Sequence, residues 1–231
     1  MRQYSALIFD LDGTLIDSAP DIAAAVNIYM GSKGWPELDV PYVETFIGNG
    51  PRRLLLDILT DKGLPSDDAT VDAAVKAYIE NYQREPASLT RFFSHVREDL
   101  ELLHAAGFRL GICTNKPHAL TQQILAILDL NGIIEVALGA DAVVACKPDP
   151  RHLLAVAETM GLNDGSWAYI GDTNVDKATA AATGSDFFVV PWGGGAEVVV
   201  TPDQRLTRIA DLLTYRVPSG QTDQVAKGKT A

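Results

Sequence analysis

The strongest constraint on this chain is a set of short apolar runs, three of which end abruptly in polar residues. Ala6-Leu7-Ile8-Phe9 runs into Asp10-Leu11-Asp12-Gly13-Thr14. The run over 108–113 stops at Thr114-Asn115, and Trp167-Ala168-Tyr169-Ile170 stops at Gly171-Asp172. Further runs cover 135–138 and 187–190. Runs without polar alternation suit strands buried on both faces of a parallel sheet. Between them lie helical spacings: Val96, Leu100, Leu103; then Leu120, Ile124, Ile127, Leu128; then Leu153, Val156, Ala157, Met160. Strands alternating with helices predict βαβ units, right-handed crossovers and an α/β, Rossmann-like parallel sheet core.

Residues 17–86 break the alternation and read as an inserted, small, all-helical cap domain. Ser18-Ala19-Pro20-Asp21 has the form of an N-cap with an early proline, opening a helix that runs through Ala23, Val26 and Met30 to a stop at Gly31 or Gly34. Gly48-Asn49-Gly50-Pro51 is a turn, with a short amphipathic helix over 52–59 and a longer one over 67–82 carrying Val71, Val75, Tyr78 and Ile79. The catalytic core is expected over 1–16 and 87–217, and the polar segment 218–231 is expected to be disordered.

Charge narrows the function. With 19 basic and 30 acidic residues the formal net charge is −11, which disfavours nucleic acid and anionic membrane surfaces as partners. No apolar run is long enough for a membrane span, and the first strand begins too early to leave room for a signal peptide, so a cytoplasmic protein is expected. The two cysteines, Cys113 and Cys146, exclude a disulfide scaffold and read as small buried residues.

In open parallel sheets ligands bind beyond the carboxyl ends of the strands. The polar strand ends, Lys147-Pro148-Asp149-Pro150 and Asp176 can therefore meet in one cleft holding four carboxylates, one lysine and short hydroxyl or amide donors. That mixture suits phosphoryl transfer. Carboxylates bind Mg²⁺, which neutralises charge on the transferring group, and lysine and short donors hold the remaining oxygens. An aspartate can act as nucleophile and a second carboxylic acid as proton donor.

The assembled pattern resembles the haloacid dehalogenase superfamily of aspartate-nucleophile hydrolases over nearly the whole chain to about residue 214. The motifs are Asp10-Leu11-Asp12-Gly13-Thr14-Leu15, Thr114-Asn115, Lys147, and Gly171-Asp172 with Asp176. The resemblance implies Asp10 as nucleophile and metal ligand, and Asp12 as general acid/base whose backbone carbonyl also binds the metal. It implies Thr114, Asn115 and Lys147 in phosphate binding, Asp172 as the third protein ligand to Mg²⁺, and Asp176 as orienting Lys147 or standing behind the metal ligands. Asp12 is absent from dehalogenases proper, whose halide leaving group needs no proton, so an oxygen leaving group is expected here. The insertion, with Phe46-Ile47-Gly48-Asn49-Gly50, resembles the cap of phosphoglycolate phosphatases as a group. Arg52 and Arg53 are the nearest cap cations for a second anionic group on the substrate.

The expected activity is Mg²⁺-dependent hydrolysis of a small phosphate monoester, phosphoglycolate-like, by a monomer or homodimer. A phosphosugar mutase of the β-phosphoglucomutase type is the alternative, and a non-catalytic binding module the remote one. His118 reads as a helix-surface residue, and His95, His104 and His152 lack partners at metal-ligand spacing. Lys116 and Lys177 read as exposed lysines, and Trp192-Gly193-Gly194-Gly195 as a glycine-rich turn rather than a wall of the site. Two departures from the phosphatases stand out: the stretch Arg91-Phe92-Phe93-Ser94-His95-Val96 before the core's first helix lacks the Pro-Gly usual there, and the segment after the last motif reads Ala182-Thr183-Gly184-Ser185 where relatives usually have Ala-Gly.

Overall fold

The computed structural model describes residues 3–162 and 165–216, so the expectation for 218–231 lies outside the described residues. The strands in chain order are β1 (Ala6–Phe9), β2 (Ile16–Asp17), β3 (Arg91–Phe92), β4 (Arg109–Cys113), β5 (Ile134–Leu138), β6 (Trp167–Gly171) and β7 (Asp186–Val189). Five form one sheet in the order β5-β4-β1-β6-β7, with every neighbouring pair parallel. The first apolar run is therefore the central strand. Its side chains alternate between faces: Leu7 and Phe9 enter the core shared with the inserted helices, while Ala6 and Ile8 join Leu153, Val156 and Phe187 on the other side.

Four helices lie between β2 and β3: α1 (Ala19–Ser32), α2 (Val40–Glu44), α3 (Pro51–Asp61) and α4 (Asp68–Arg84). The rest alternate with the core strands: α5 (Val96–Ala105), α6 (His118–Ile127), α7 (Pro150–Thr159) and α8 (Asn174–Thr183). The α/β architecture with its helical insertion is the one expected. The details differ where local signals are weak. Of the two glycine stops offered for α1, Gly31 lies inside the helix, which ends at Ser32, and Gly34, at φ +70°, is the stop that follows its C-cap Lys33. The buried stripe of α4 is Val71, Ala74, Tyr78 and Tyr82, which turns Val75 and Ile79 to the stripe's margin. The antiparallel β2–β3 pair, two residues a side, carries too short a pattern to be read from sequence.

The chain crosses between core and insertion twice, and one side chain ties the crossings together. Asp21, buried on the first turn of α1, accepts hydrogen bonds from the backbone N–H of Leu89 (3.0 Å), the backbone N–H of Thr90 (2.7 Å) and Thr90 Oγ1 (2.6 Å). The substitution Asp21→Ala strands these donors. It should cost about 2–4 kcal/mol, several degrees of Tm in a chain of this size, readable by thermal unfolding.

The residue before α5, His95, sits in the left-handed region at φ +67°. Glycine takes this conformation without strain, so His95 marks a local cost just before α5. His95→Gly should raise stability by about 0.5–1 kcal/mol, and an unchanged or lower Tm would show that the imidazole makes up for the strain.

Candidate active site

Strand order and register bring the motifs together. Phe9 pairs with Ile112 on β4 and with Ile170 on β6. The next residues of all three strands are therefore level, and Asp10 stands between the ends leading to Thr114 and to Asp172. Asp10 N–H donates to the Ile170 carbonyl at 2.8 Å, holding the loop in line with the sheet. Gly13, at φ +83°, lets this loop fold against Asp172: a Cβ there would lie 2.3 Å from Asp172 Oδ2.

Lys147 is buried within 2.8 Å of Asp10 Oδ1 and donates to Asp176 Oδ1 (2.7 Å) and Tyr169 Oη (2.9 Å). Asp176 is saturated. Its Oδ1 accepts from Lys147 and Tyr169, and its Oδ2 from the backbone N–H (3.0 Å) and hydroxyl (2.5 Å) of Thr173, in the capping box that opens α8. Asp172 accepts one hydrogen bond per oxygen, from Thr14 Oγ1 (2.7 Å) and the Gly194 N–H (2.9 Å). Apart from its ion pair with Lys147, buried Asp10 Oδ1 has no hydrogen-bond partner among the described residues.

The electrostatics follow from three buried carboxylates sharing one ammonium. Burial pushes Asp10 up to about 7, with Lys147 pulling down and Asp176 and Asp12 pushing up. Burial, then the charges of Asp176 and Asp10, push Asp172 up to about 8. Burial also works to raise Asp176, but Lys147 and the hydrogen bonds from Lys147, Thr173 and Tyr169 outweigh it and hold Asp176 below its ordinary value. For Lys147 burial is outweighed in turn by Asp10 and Asp176, so it stays charged.

Ligand oxygens of Asp10, Asp172 and Asp176 lie within 4.8 Å of one another. Excess negative charge, an open Asp10 oxygen and an all-oxygen donor set fit a hard divalent cation. Asp10 and Asp172 retain lone pairs for it, whereas every strong acceptor direction on Asp176 is taken.

Asp12 accepts from Ser18 Oγ (2.5 Å) and from Lys116 Nζ (2.9 and 3.2 Å). Ser18 stands at the N-cap position of α1, but its hydroxyl is given to Asp12 and makes no capping bond. Lys116 is not an exposed lysine. It is 5% exposed, donates to Tyr82 Oη of α4 at 2.9 Å and lies over the Tyr82 ring. Thr114 is buried beside it. The Asn115 side chain has no donor left for a phosphate: Nδ2 bonds the Lys147 and Gly48 carbonyls and Oδ1 accepts from the Lys147 N–H, each at 3.0 Å. It holds the lysine backbone and the inserted loop instead.

The structure does not bring Arg52 and Arg53 to the cleft. Arg52 pairs with Asp68 and Asp72 of α4, and Arg53 with Asp57 one turn along α3, all on exposed surface. Cys146 is exposed, whereas Cys113 is buried. The 192–195 segment is a wall after all: Trp192 Nε1 donates to the Thr14 carbonyl at 2.9 Å, and Gly194 bonds Asp172. Sequence reading missed Tyr169. Its one available signal was a hydroxyl in a fully buried strand, which requires a polar partner. His118 is half-buried at the start of α6, and its Nδ1 accepts from Gly139 N–H at 3.3 Å.

Two cavities meet at Asp12 and Ile47. One, about 30 Å³, lies over Asp10, Thr114 and Lys116 and is lined from the insertion by Ile22, Leu54 and Tyr78. The other, about 420 Å³, opens on the Asp172 side between α2 and the loops at 172–174 and 193–198.

Residues 7–190 match the family model described as haloacid dehalogenase-like hydrolase. The chain belongs to that family. A Cereibacter sphaeroides member named phosphoglycolate phosphatase is 38% identical over 182 residues, covering 78% of this chain and 82% of the relative. An Aquifex aeolicus member of the same name is 34% identical over 207 residues, covering 90% and 94%. A solved family structure from Haemophilus somnus 129pt, described as a predicted phosphoglycolate phosphatase, superposes with TM-score 0.81 at 26% identity, covering 93% of this chain and 98% of that one. Among the described residues no helix is long and apolar enough to cross a membrane.

Asp10 and Asp172 hold protons more tightly folded than unfolded, so stability should fall as pH rises from 3.8 to about 8 in metal-free protein. A divalent cation needs both ionised, so it should raise Tm more at about pH 8.5 than at about pH 6. Differential scanning fluorimetry with and without chelator reads this, and Asp172→Asn should flatten the difference. Equal stabilisation at both pH values would place the cation elsewhere.

Proposed function

We propose that this protein is a Mg²⁺-dependent phosphatase of a small, phosphoglycolate-like phosphate monoester, working through an aspartyl-phosphate intermediate. The observation that carries the reading is Asp10, a buried carboxylate at the end of the central strand with an oxygen that only Lys147 touches. In this reading an Asp10 oxygen attacks phosphorus, and the phosphorus–oxygen bond to the leaving alkoxide breaks. Asp12, 12% exposed at its side chain, gives that oxygen its proton and then takes one from the water that attacks the aspartyl phosphate. Inorganic phosphate leaves and Asp10 is restored. Thr114 and Lys147 hold phosphoryl oxygens, and Asp176 keeps Lys147 charged and aimed. Asp10, Asp172 and the Asp12 backbone carbonyl would hold Mg²⁺, which supplies charge neutralisation between carboxylate and phosphate.

The names carried by the relatives support the substrate class. We take residues 17–86 as the cap and 1–16 with 87–217 as the catalytic core. A mutase needs a second, distal phosphate site in its cap, and the cap residues lining the smaller cavity bring no cation. The mutase reading is therefore not favoured. One chain supplies every group the reaction uses, so a monomer or homodimer suffices. We place it in the cytoplasm, where its two free cysteines stay reduced.

The test is inorganic phosphate release from a panel of phosphoglycolate, sugar phosphates and nucleotides with Mg²⁺. Asp10→Asn should lower kcat by at least about 10³-fold, about 4 kcal/mol of barrier, with the fold intact by circular dichroism. Near-normal turnover in that variant would remove Asp10 as nucleophile.

A further inference from the structure

Asp172 is buried, and each of its oxygens is held by one donor, Thr14 Oγ1 at 2.7 Å and the Gly194 N–H at 2.9 Å. Both donors depend on one side chain, Trp192. Its indole Nε1 donates to the Thr14 carbonyl at 2.9 Å, which fixes the backbone that carries the Thr14 hydroxyl. Its own carbonyl accepts from the Gly195 N–H at 3.0 Å, closing the turn that aims the Gly194 N–H at Asp172. That turn lies directly on the carboxylate. A Cβ on Gly193 would come within 2.7 Å of Asp172 Oδ2, and one on Gly194 within 2.9 Å of the Asp172 carbonyl. The indole is held in turn: it stacks on Phe93, with centroids 5.7 Å and planes 25° apart. Phe93 follows β3, where the chain re-enters the core, and its N–H donates to the carbonyl of Leu15, the neighbour of Thr14, at 3.4 Å. A carboxylate oxygen with one donor keeps a lone pair for a cation, and the donor decides where that lone pair points.

We propose that Trp192 is a positioning residue of the metal site, acting through Thr14 and Gly194 to aim both oxygens of Asp172 at a divalent cation. The proposal rests on the reading of Asp10 and Asp172 as ligands of that cation. It adds a residue that lines neither cavity and acts only through its neighbours. Without the indole N–H the Thr14 peptide loses its tether, and without the ring the 192–195 turn also loses its footing on Phe93. Asp172 then keeps its charge and loses its direction. An indole that served only to cover apolar surface would change the stability of the fold and leave cation affinity where it was.

The probe is Mn²⁺ alone, a hard divalent cation that takes octahedral oxygen sites and whose free form is counted by electron paramagnetic resonance. Its Kd is compared in wild type, Trp192→Phe, Trp192→Leu and Asp172→Asn. Trp192→Phe keeps a ring to stack on Phe93 and drops the N–H, whereas Trp192→Leu drops both. Trp192→Leu should weaken Mn²⁺ binding about 10–100-fold, the range for lost support behind a metal ligand. Trp192→Phe should weaken it about 3–10-fold, the share of one hydrogen bond. Each Kd is read with circular dichroism, and Trp192→Phe decides the matter if the leucine variant does not fold. A Kd within about twofold of wild type in folded Trp192→Phe and Trp192→Leu, whatever their Tm, would overturn the proposal and leave the metal reading standing. No Mn²⁺ bound by wild type, or equal binding by Asp172→Asn, would overturn both.

Discussion

Three buried carboxylates around one buried ammonium set the terms for the rest of this structure. A carboxylate in such surroundings is stable only if it is neutralised by protons, paired charge or aligned donors. Asp176 takes four donors, the paired ammonium among them. Asp172 takes two donors. Asp10 takes only the edge of the same ammonium, and its affinity for a proton rises accordingly. Much of the neighbouring sequence serves this imbalance. Asn115 clamps the Lys147 peptide from both sides, Tyr169 reaches the ammonium from within the sheet, and Gly194 and Thr14 meet Asp172 from opposite loops. The site keeps excess negative charge where a cation and a phosphate have to meet.

The same logic governs the seam between core and insertion. Three of its polar contacts fall on residues of the cleft. Ser18, at the start of α1, bonds Asp12; Tyr82, at the far end of α4, accepts from Lys116; Gly48 accepts from Asn115. An insertion displaced from the core would lose all three, and Asp12 would lose the hydroxyl that orients it. In the proposed reaction the seated insertion and the geometry of Asp12 therefore go together, as a lid that excludes water from a reactive acyl phosphate requires. Asp21 clasps the two crossing segments at the root of the insertion, apart from these contacts, so the hinge is held by backbone hydrogen bonds that do not depend on the substrate.

Much of this was legible in the sequence, for a physical reason. A strand buried on both faces must be apolar, and polar groups at its end must have work to do, so Asp10, Asp12, Thr114 and Asp172 announced themselves at the ends of such runs. What was not legible depends on neighbours remote in the chain. Arg52 opens a helix as a free cation would, and nothing near it in sequence reveals that Asp68 and Asp72 of α4 lie alongside. Lys116 is buried because Tyr82, 34 residues earlier, packs on it. Asn115 carries an amide suited to a phosphate or to a peptide, and only the position of Lys147 decides for the peptide. The two-residue β2 and β3 are defined by pairing across the insertion and carry no periodicity of their own.

Proximity alone would make Asp176 a metal ligand, since its oxygens lie with those of Asp10 and Asp172. Hydrogen-bond valence argues otherwise. A carboxylate accepts about four strong contacts, and Asp176 has four within the protein, two of them in the capping box of α8. To ligate a cation it would have to give up the cap or the lysine. Asp10 gives up nothing. In the proposed reaction an oxygen whose one partner is the Lys147 ammonium both approaches a cation and attacks phosphorus, and these demands exclude any residue whose lone pairs already stabilise the fold. Gly171 marks the division in the backbone: a Cβ there would come within 2.4 Å of Asp176, so the chain leaves out a side chain to seat the residue that positions Lys147. In the proposed reaction the nucleophile is the carboxylate that the fold does not need for its own cohesion, and Asp176, which the fold does need, acts through the lysine it holds.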